Sequence, residues 1–476
     1  MRRFVEQLQE FSIPLIAGVV AAIAYANFDP EGYHYLVHTP LTEMLSSAEY
    51  AESATFEAGH AESPEESHTD SASAHEATGF SHYLTLHFLA NDLLMVLFFG
   101  IAAKEITEAC LPGGKLTPLS KAVNPLFATT GGVLGPIAVY LTLNTLMGSS
   151  EWSRGWGIPT ATDIALAWLV ARMLFGKTHP AVSFLLLLAV ADDAIGLGII
   201  AVGYPDPNHP TEWAQVLWLV PGMLAAYGFR IWGVRSWIPY IVVGGAFCWW
   251  GLFCAGLHPA LALVFVVPFL PGPKHDAGLF VEEVDEDESG DVHYVGHTPL
   301  ESFEHSVKGV VDWGLFLFAV ANAGVMFSAV TGLTWIVLAS MVVGKSVGIT
   351  SCSLLARKLG FPLPAGMNVK DLMVASVVAA LGLTVALFVS TQAFAGELQG
   401  AAKMGSLLSI CAAGLAWALR AALMKPAPAP SHPKPGMISL DDIGQLIDSE
   451  VEPATCSAEP QHTEFDRFRT LVDVEG

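Results

Sequence analysis

The chain has 476 residues, 53% of them hydrophobic and only 14% charged, with a mean hydropathy of +0.49. A soluble protein of this length carries more charge and shorter apolar runs, so an ordinary water-soluble globular class is excluded. The formal net charge of -23 does not argue for a cationic partner, because the acid is gathered in three tracts outside the apolar runs, and no nucleic-acid partner is expected.

Twelve candidate spans lie near 11–28, 84–104, 121–147, 157–175, 180–203, 213–230, 238–256, 258–271, 308–329, 333–357, 370–395 and 402–424, the eighth being short. The predicted fold class is therefore an all-α polytopic membrane protein of about twelve transmembrane helices in contact with lipid, filling residues 1–425.

The first run, "MRRFVEQLQEFSIPLIAGVVAAIAYANF", is basic at its start and ends near "AYA", as a signal peptide would. A first spanning helix is the expected reading, since such a helix can itself target a multi-span protein. With Arg2 and Arg3 inside, the loops due in the cytoplasm carry Lys104, Lys115, Lys121, Arg172, Lys177, Arg230, Arg235, Lys274, Lys308, Arg357, Lys358, Lys370, Arg420 and Lys425. The opposite loops hold little basic beyond Arg154 and Lys403. That asymmetry predicts an even number of spans and two cytoplasmic termini.

Residues 48–82, rich in Ala, Ser, Glu and His, read as an external, solvated and largely disordered insert. A metal- or pH-responsive role for His60, His68, His75 and His82 is the sharper alternative, but their spacing is not that of ligands.

Span 4 contains "GWGIPTATDIALAW", where Gly155, Gly157, Pro159, Thr160 and Thr162 make a poor continuous helix around Asp163. There Asp163 either offsets a positive half-helix end, adds an oxygen to a site, or simply caps a helix start. Span 5 contains "LLLLAVADDAIGLGIIAV", with Asp192 and Asp193 side by side in an apolar run. Adjacent helical residues point about 100° apart, so one carboxylate can face a cation on a neighbouring helix while the other faces a water-filled cavity.

Residues 273–305, with "VEEVDEDESGDVHYVGH", read as an acidic cytoplasmic insert. Span 10 carries Lys345 in "MVVGKSVGIT", and span 11 has Gly382 and Thr384 in mid-run in "AALGLTVALF". Spans 4 and 11 are the middle members of spans 3–5 and 10–12. Interruptions in matching places predict inverted repeats whose two discontinuous helices cross near the midplane, flanked by Lys345 and the aspartate pair. The tail from 426 to 476 opens with the stiff linker "PAPAPSHPKPG" and is expected to be disordered and cytoplasmic; its "ISLDDIGQLID" could form a short amphipathic helix. Cys110, Cys248, Cys254, Cys352, Cys411 and Cys456 are scattered without CxxC spacing, mostly beside apolar runs, and read as buried hydrophobes with no disulfide framework.

Four charges do not sit at span ends: Asp163, Asp192, Asp193 and Lys345. Each costs about 2.5–3.5 kcal/mol at a bilayer centre on insertion scales. One Asp–Lys pair would be a structural ion pair. Three acids against one base leave surplus negative charge that needs a proton or a cation. Carboxylate oxygens suit both, and the two compete for them. That competition suffices for antiport if the site opens to one side at a time. An intramembrane aspartyl protease would need two carboxylates sharing a water; Lys345 and the lack of a GxGD stretch argue against it. A non-transporting ion or pH sensor read out through the tail is the other alternative.

The motifs "IPTATDIALA", "ADD", "FEHSV", "FAVANAGV", "GKSVGI" and "GLHPALAL" resemble those of the NhaA-type sodium/proton antiporter family, over about residues 1–425 apart from the inserts. Inverted repeats with interrupted helices are a recognised feature of that family, so the repeat reading and the resemblance are not independent. The resemblance implies that Asp193 is the principal carboxylate for cation and proton, and that Asp192 is its neighbour, paired with Lys345. It implies that Asp163 and Thr162 lie where spans 4 and 11 cross, and that Asp92 in "NDLLMVLFF" is a functionally sensitive acid in span 2. It further implies electrogenic exchange of Na+ or Li+ for more than one proton, pH regulation, no cofactor, and a homodimer in the inner membrane. The chain departs from the family's pattern in a span 11 break reduced to "ALGLTVAL", in "AIG" after the aspartate pair, around Glu105, Thr107 and Glu108, and at the 48–82 insert. Those changes bear on pH set-point, ion preference and dimer contacts.

Overall fold

Capping chemistry marks where the helices begin. Asp29 accepts from Gly32 N ahead of Pro30, and His179 caps a helix that opens on Pro180. Thr298 and Glu301 form a reciprocal capping box around Pro299, as do Asn368 and Asp371. The computed structural model describes residues 13–44, 84–111, 119–176, 178–204, 212–272 and 298–423, and among them there is no strand, only an isolated bridge between Pro40 and Thr85.

The helices are α1 (Ile13–Phe28), α2 (Pro30–His38), α3 (Leu86–Cys110), α4 (Leu119–Met147), α5 (Ile164–Phe175), α6 (Pro180–Gly203), α7 (Trp213–Ile231) and α8 (Tyr240–Cys254). They continue with α9 (Pro299–Asn322), α10 (Gly332–Lys358), α11 (Val369–Val378), α12 (Thr384–Ala393), α13 (Gly396–Leu408) and α14 (Cys411–Leu423). A 3-10 arm, Ser150–Thr160, precedes α5 at a 54° bend. Six described helical runs, α13 and α14 counted together as one, are long and apolar enough to cross a membrane, and the arm with α5 makes a further broken span. Large apolar side chains face outward, among them Trp232 at 78%, Val202 at 76% and Leu146 at 74% exposed. Water would not tolerate so much contiguous apolar surface, whereas hydrocarbon does.

α4 and α10 approach each other backbone to backbone. A Cβ on Gly131 would collide with the Gly348 carbonyl, and one on Gly344 would lie 2.5 Å from Pro136 Cα. Small residues at both helices permit this contact. A π-turn, Ser340–Gly344, ends just before Lys345 and resets which face of α10 that side chain occupies.

Several expectations are corrected. The second span runs on to Cys110, so Lys104 lies inside a helix, 5% exposed, rather than in a loop. Its ammonium is held by Glu105 at 3.5 Å, Glu108 at 2.7 Å and Glu304, which accounts for its burial. The acidic insert ends sooner than 305, because the capping box at Thr298 starts α9 there. Lys403 is not a loop residue but sits buried in α13. A third interruption, at Ser409–Ile410, divides the last apolar run into α13 and α14. Of the five described cysteines, only Cys248 is buried; Cys110 and Cys411 are exposed, and all five are free. Arg2, Arg3, the 48–82 insert, most of the 273–305 insert and the tail lie outside the described residues.

Candidate functional site

The sequence breaks the fourth span at "TATD", and the chain has no helix between Thr160 and Ile164. The eleventh is likewise open between Val378 and Thr384, through "AALGL". The freed backbone groups satisfy one another, as they must away from water. Asp163 N donates to the Leu381 carbonyl at 2.7 Å, and Thr162 Oγ1 reaches the Ala379 carbonyl at 3.0 Å. Ser409 Oγ, at the third interruption, accepts from Gly382 N at 3.3 Å. Gly382 is required here, since a Cβ would lie 2.6 Å from the Ala161 carbonyl.

Asp163 caps two half-helices at once. Its Oδ1 accepts from Leu166 N at 3.1 Å, and its Oδ2 accepts from Thr384 N at 3.3 Å and Thr384 Oγ1 at 3.0 Å. The positive ends of α5 and α12 both meet this carboxylate, which offsets their dipoles. Capping and charge compensation thus coexist, and both Asp163 oxygens are engaged.

The other two carboxylates divide differently. Asp192, 2% exposed, receives Lys345 Nζ at 2.7 Å on Oδ2, and Thr162 Oγ1 reaches the same oxygen at 2.7 Å. Lys345 Nζ, wholly buried, also donates to Thr162 Oγ1. A hydroxyl has one proton, so Thr162 accepts from Lys345 while donating either to Asp192 or to the Ala379 carbonyl. The opposite oxygen, Asp192 Oδ1, is buried with no hydrogen-bond partner among the described residues. Leaving such an acceptor unmet costs about 1–3 kcal/mol. Asp193, next along α6, is partly exposed and takes no hydrogen bond from the described residues.

Asp163, Thr162, Asp192, Lys345, Gly382 and Thr384 are therefore brought together, with Asp193 adjoining them on α6. Asp92 is not bonded into this group; it lies in the π-turn Leu89–Leu94, its carbonyl accepting from Trp249 Nε1 at 3.4 Å. The Ala379 and Leu381 carbonyls and Ser409 escape sequence reasoning. Backbone groups carry no residue signature, and the serine is one of many in apolar runs. Chemically, the cluster offers three engaged carboxylate oxygens, both of Asp163 and Oδ2 of Asp192, and three with no donor among the described residues, beside a single ammonium. Those free oxygens suit a hard cation or a proton.

A family model described as Na+/H+ antiporter 1 matches residues 60–419 of this chain. The Na(+)/H(+) antiporter NhaA of Geobacter sulfurreducens is 53% identical over 410 residues, 86% of this chain and 95% of that protein. The Na(+)/H(+) antiporter NhaA 2 of Pelobacter propionicus is 52% identical over 414 residues, covering 87% and 96%. The Na(+)/H(+) antiporter NhaA of Jannaschia sp. is 41% identical over 430 residues, covering 85% and 94%.

Proposed function

The chain belongs to the Na+/H+ antiporter 1 family, and from that premise we propose that its exchange of Na+ for H+ takes place at Asp193 and Asp192. The observation that carries this assignment is the uneven partnering of the pair. Lys345 and Thr162 occupy Asp192 Oδ2, while Asp192 Oδ1 and the Asp193 carboxylate have no donor among the described residues. Asp193 is then the carboxylate that takes up Na+ or a proton, and Asp192 lends its open oxygen to the cation. Occupancy by one excludes the other. Thr162 and Lys345 position Asp192, and Asp163 holds the two breaks together through Thr384.

The same reading extends to the architecture. α4, the arm with α5, and α6 form one unit of an inverted pair; α10, α11 with α12, and the α13–α14 run form the other, their broken middle members crossing at Asp163. The matching breaks and the bonds that join them support this. Li+, an ion of the same charge and oxygen preference, is a second substrate. Electrogenic exchange of more than one proton per cation suits a site with two carboxylates beside one lysine. The basic residues placed at Arg172, Arg230, Arg235, Arg357 and Lys358 favour two cytoplasmic termini. We place the protein, as a homodimer, in the bacterial inner membrane, where it serves sodium export and control of internal pH.

The test is Na+-driven proton movement in proteoliposomes, followed with a pH-sensitive dye. Asp193→Asn is expected to abolish it at every pH, while Asp92→Asn leaves measurable exchange. Wild-type rates in Asp193→Asn would refute the assignment.

A further inference from the structure

The arm Ser150–Thr160 is an 11-residue 3-10 helix, where runs beyond three or four residues are uncommon. Something outside it must hold it. Two tyrosine hydroxyls grip its backbone. Tyr140 Oη, from α4, donates to the Trp152 carbonyl at 2.7 Å. Tyr204 Oη, just past the end of α6, accepts from Gly157 N at 2.8 Å and donates to the Arg154 carbonyl at 2.7 Å. Tyr204 is 2% exposed, and its ring stacks on Trp156 with centroids 6.0 Å apart.

The glycines of "RGWGIPT" make room for both. A Cβ on Gly157 would lie 2.7 Å from the Tyr204 ring and hydroxyl, and one on Gly155 would strike the Tyr140 hydroxyl. Thus the two glycines that the sequence offers as helix breakers are the contact points of the grip.

Tyr204 caps the C-terminal end of the helix that carries the aspartate pair. From Asp192 to this cap the helix axis rises about 18 Å at 1.5 Å per residue. Arm residues 154 to 160 rise about 12 Å at roughly 2 Å per residue, and non-helical Ala161 carries the chain on to Thr162. The arm is fastened to α6 at both ends of this stretch, by Tyr204 at Arg154 and Gly157 and by Asp192 at Thr162. Between them, Thr160 Oγ1 donates to the Gly157 carbonyl at 2.7 Å and stiffens the link.

We propose that Tyr204 is a positioning residue for the ion site: its hydroxyl locks the 3-10 arm to α6, so that Thr162 and the Asp192–Asp193 pair move as one body. This rests on the assignment of exchange to that pair, and the test separates the two.

Sodium titrations of exchange in proteoliposomes at alkaline pH compare wild type with Tyr204→Phe, which keeps the ring on Trp156 and deletes both bonds. The apparent KM for Na+ is expected to rise roughly three- to tenfold, as loss of one or two buried hydrogen bonds would give. The maximal rate per folded protein stays within about twofold. A role in stability alone would lower the amount of protein and leave KM unchanged, and that result overturns the proposal. Tyr140→Phe, acting farther from the break, is expected to keep a near-normal KM. Should Tyr204→Phe fail to reach the membrane, Gly157→Ala displaces the hydroxyl and must raise KM likewise; a wild-type KM there overturns the proposal too. Hydrogen exchange over residues 150–160 reads the lock without transport. Faster exchange in Tyr204→Phe supports it even if wild type moves no protons, which would sink the exchange site alone; unchanged protection counts against the lock.

Discussion

Lys345 is wholly buried, and its ammonium is held there by two acceptors, Asp192 Oδ2 and Thr162 Oγ1. Removing one member of such a buried pair strands the other. Lys345→Met should therefore cost about 3–5 kcal/mol, while Asp192→Asn combined with Lys345→Met should recover much of the loss. Thermal unfolding midpoints of purified protein in detergent check this; a double variant no more stable than Lys345→Met would contradict the pairing. At this scale the sequence exposed four charges with no place at a span end, and all four lie in or beside one cluster. By helix spacing alone it left open which aspartate pairs with the lysine, because two residues 100° apart on a helix are equally reachable until the neighbouring helix is placed; only the family resemblance implied Asp192. It also left the capping duty of Asp163 as one of three readings. The partners that decide it, Leu166 N and Thr384, belong to two different half-helices.

Helices meet here by close backbone approach rather than by large side chains. The π-turn before Lys345 and the glycine faces of α4 and α10 together bring that lysine to Asp192. An added methyl at this contact has nowhere to go. Gly348→Ala would put its Cβ against the Gly131 carbonyl and 3.1 Å from Gly135 Cα, and overpacking of this kind typically costs about 1–3 kcal/mol. Gly228→Ala in α7, with nothing within 4 Å of the new Cβ, is the matched control and should be neutral or slightly stabilising. Equal melting behaviour of the two variants would show that the α4–α10 contact is not tight. Breaks were legible where Gly, Pro and Thr cluster, as in "GWGIPTATD". The interruption at Ser409 was not, because "SLLSICAAG" carries no proline and reads as continuous helix. The overrun of the second span past Lys104 was hidden for a related reason. A charge run reads as a loop until three carboxylates are found around the lysine.

The described residues form a bundle of helices with apolar outer faces, and Asp163, Asp192 and Lys345 gather where two helices are interrupted. Composition and apolar periodicity reached that class without the structure. The proposed competition rests on one ammonium, three engaged carboxylate oxygens, and three with no donor among the described residues, which Na+ and a proton would both take. Calorimetric titration of purified protein with NaCl, repeated from acid to alkaline pH in buffers of different ionisation enthalpy, tests this most directly. The expected result is proton release on Na+ binding, with affinity weakening up to about tenfold per unit as pH falls through the range where one proton competes. Equal affinity across that range, with no proton released, would contradict the account.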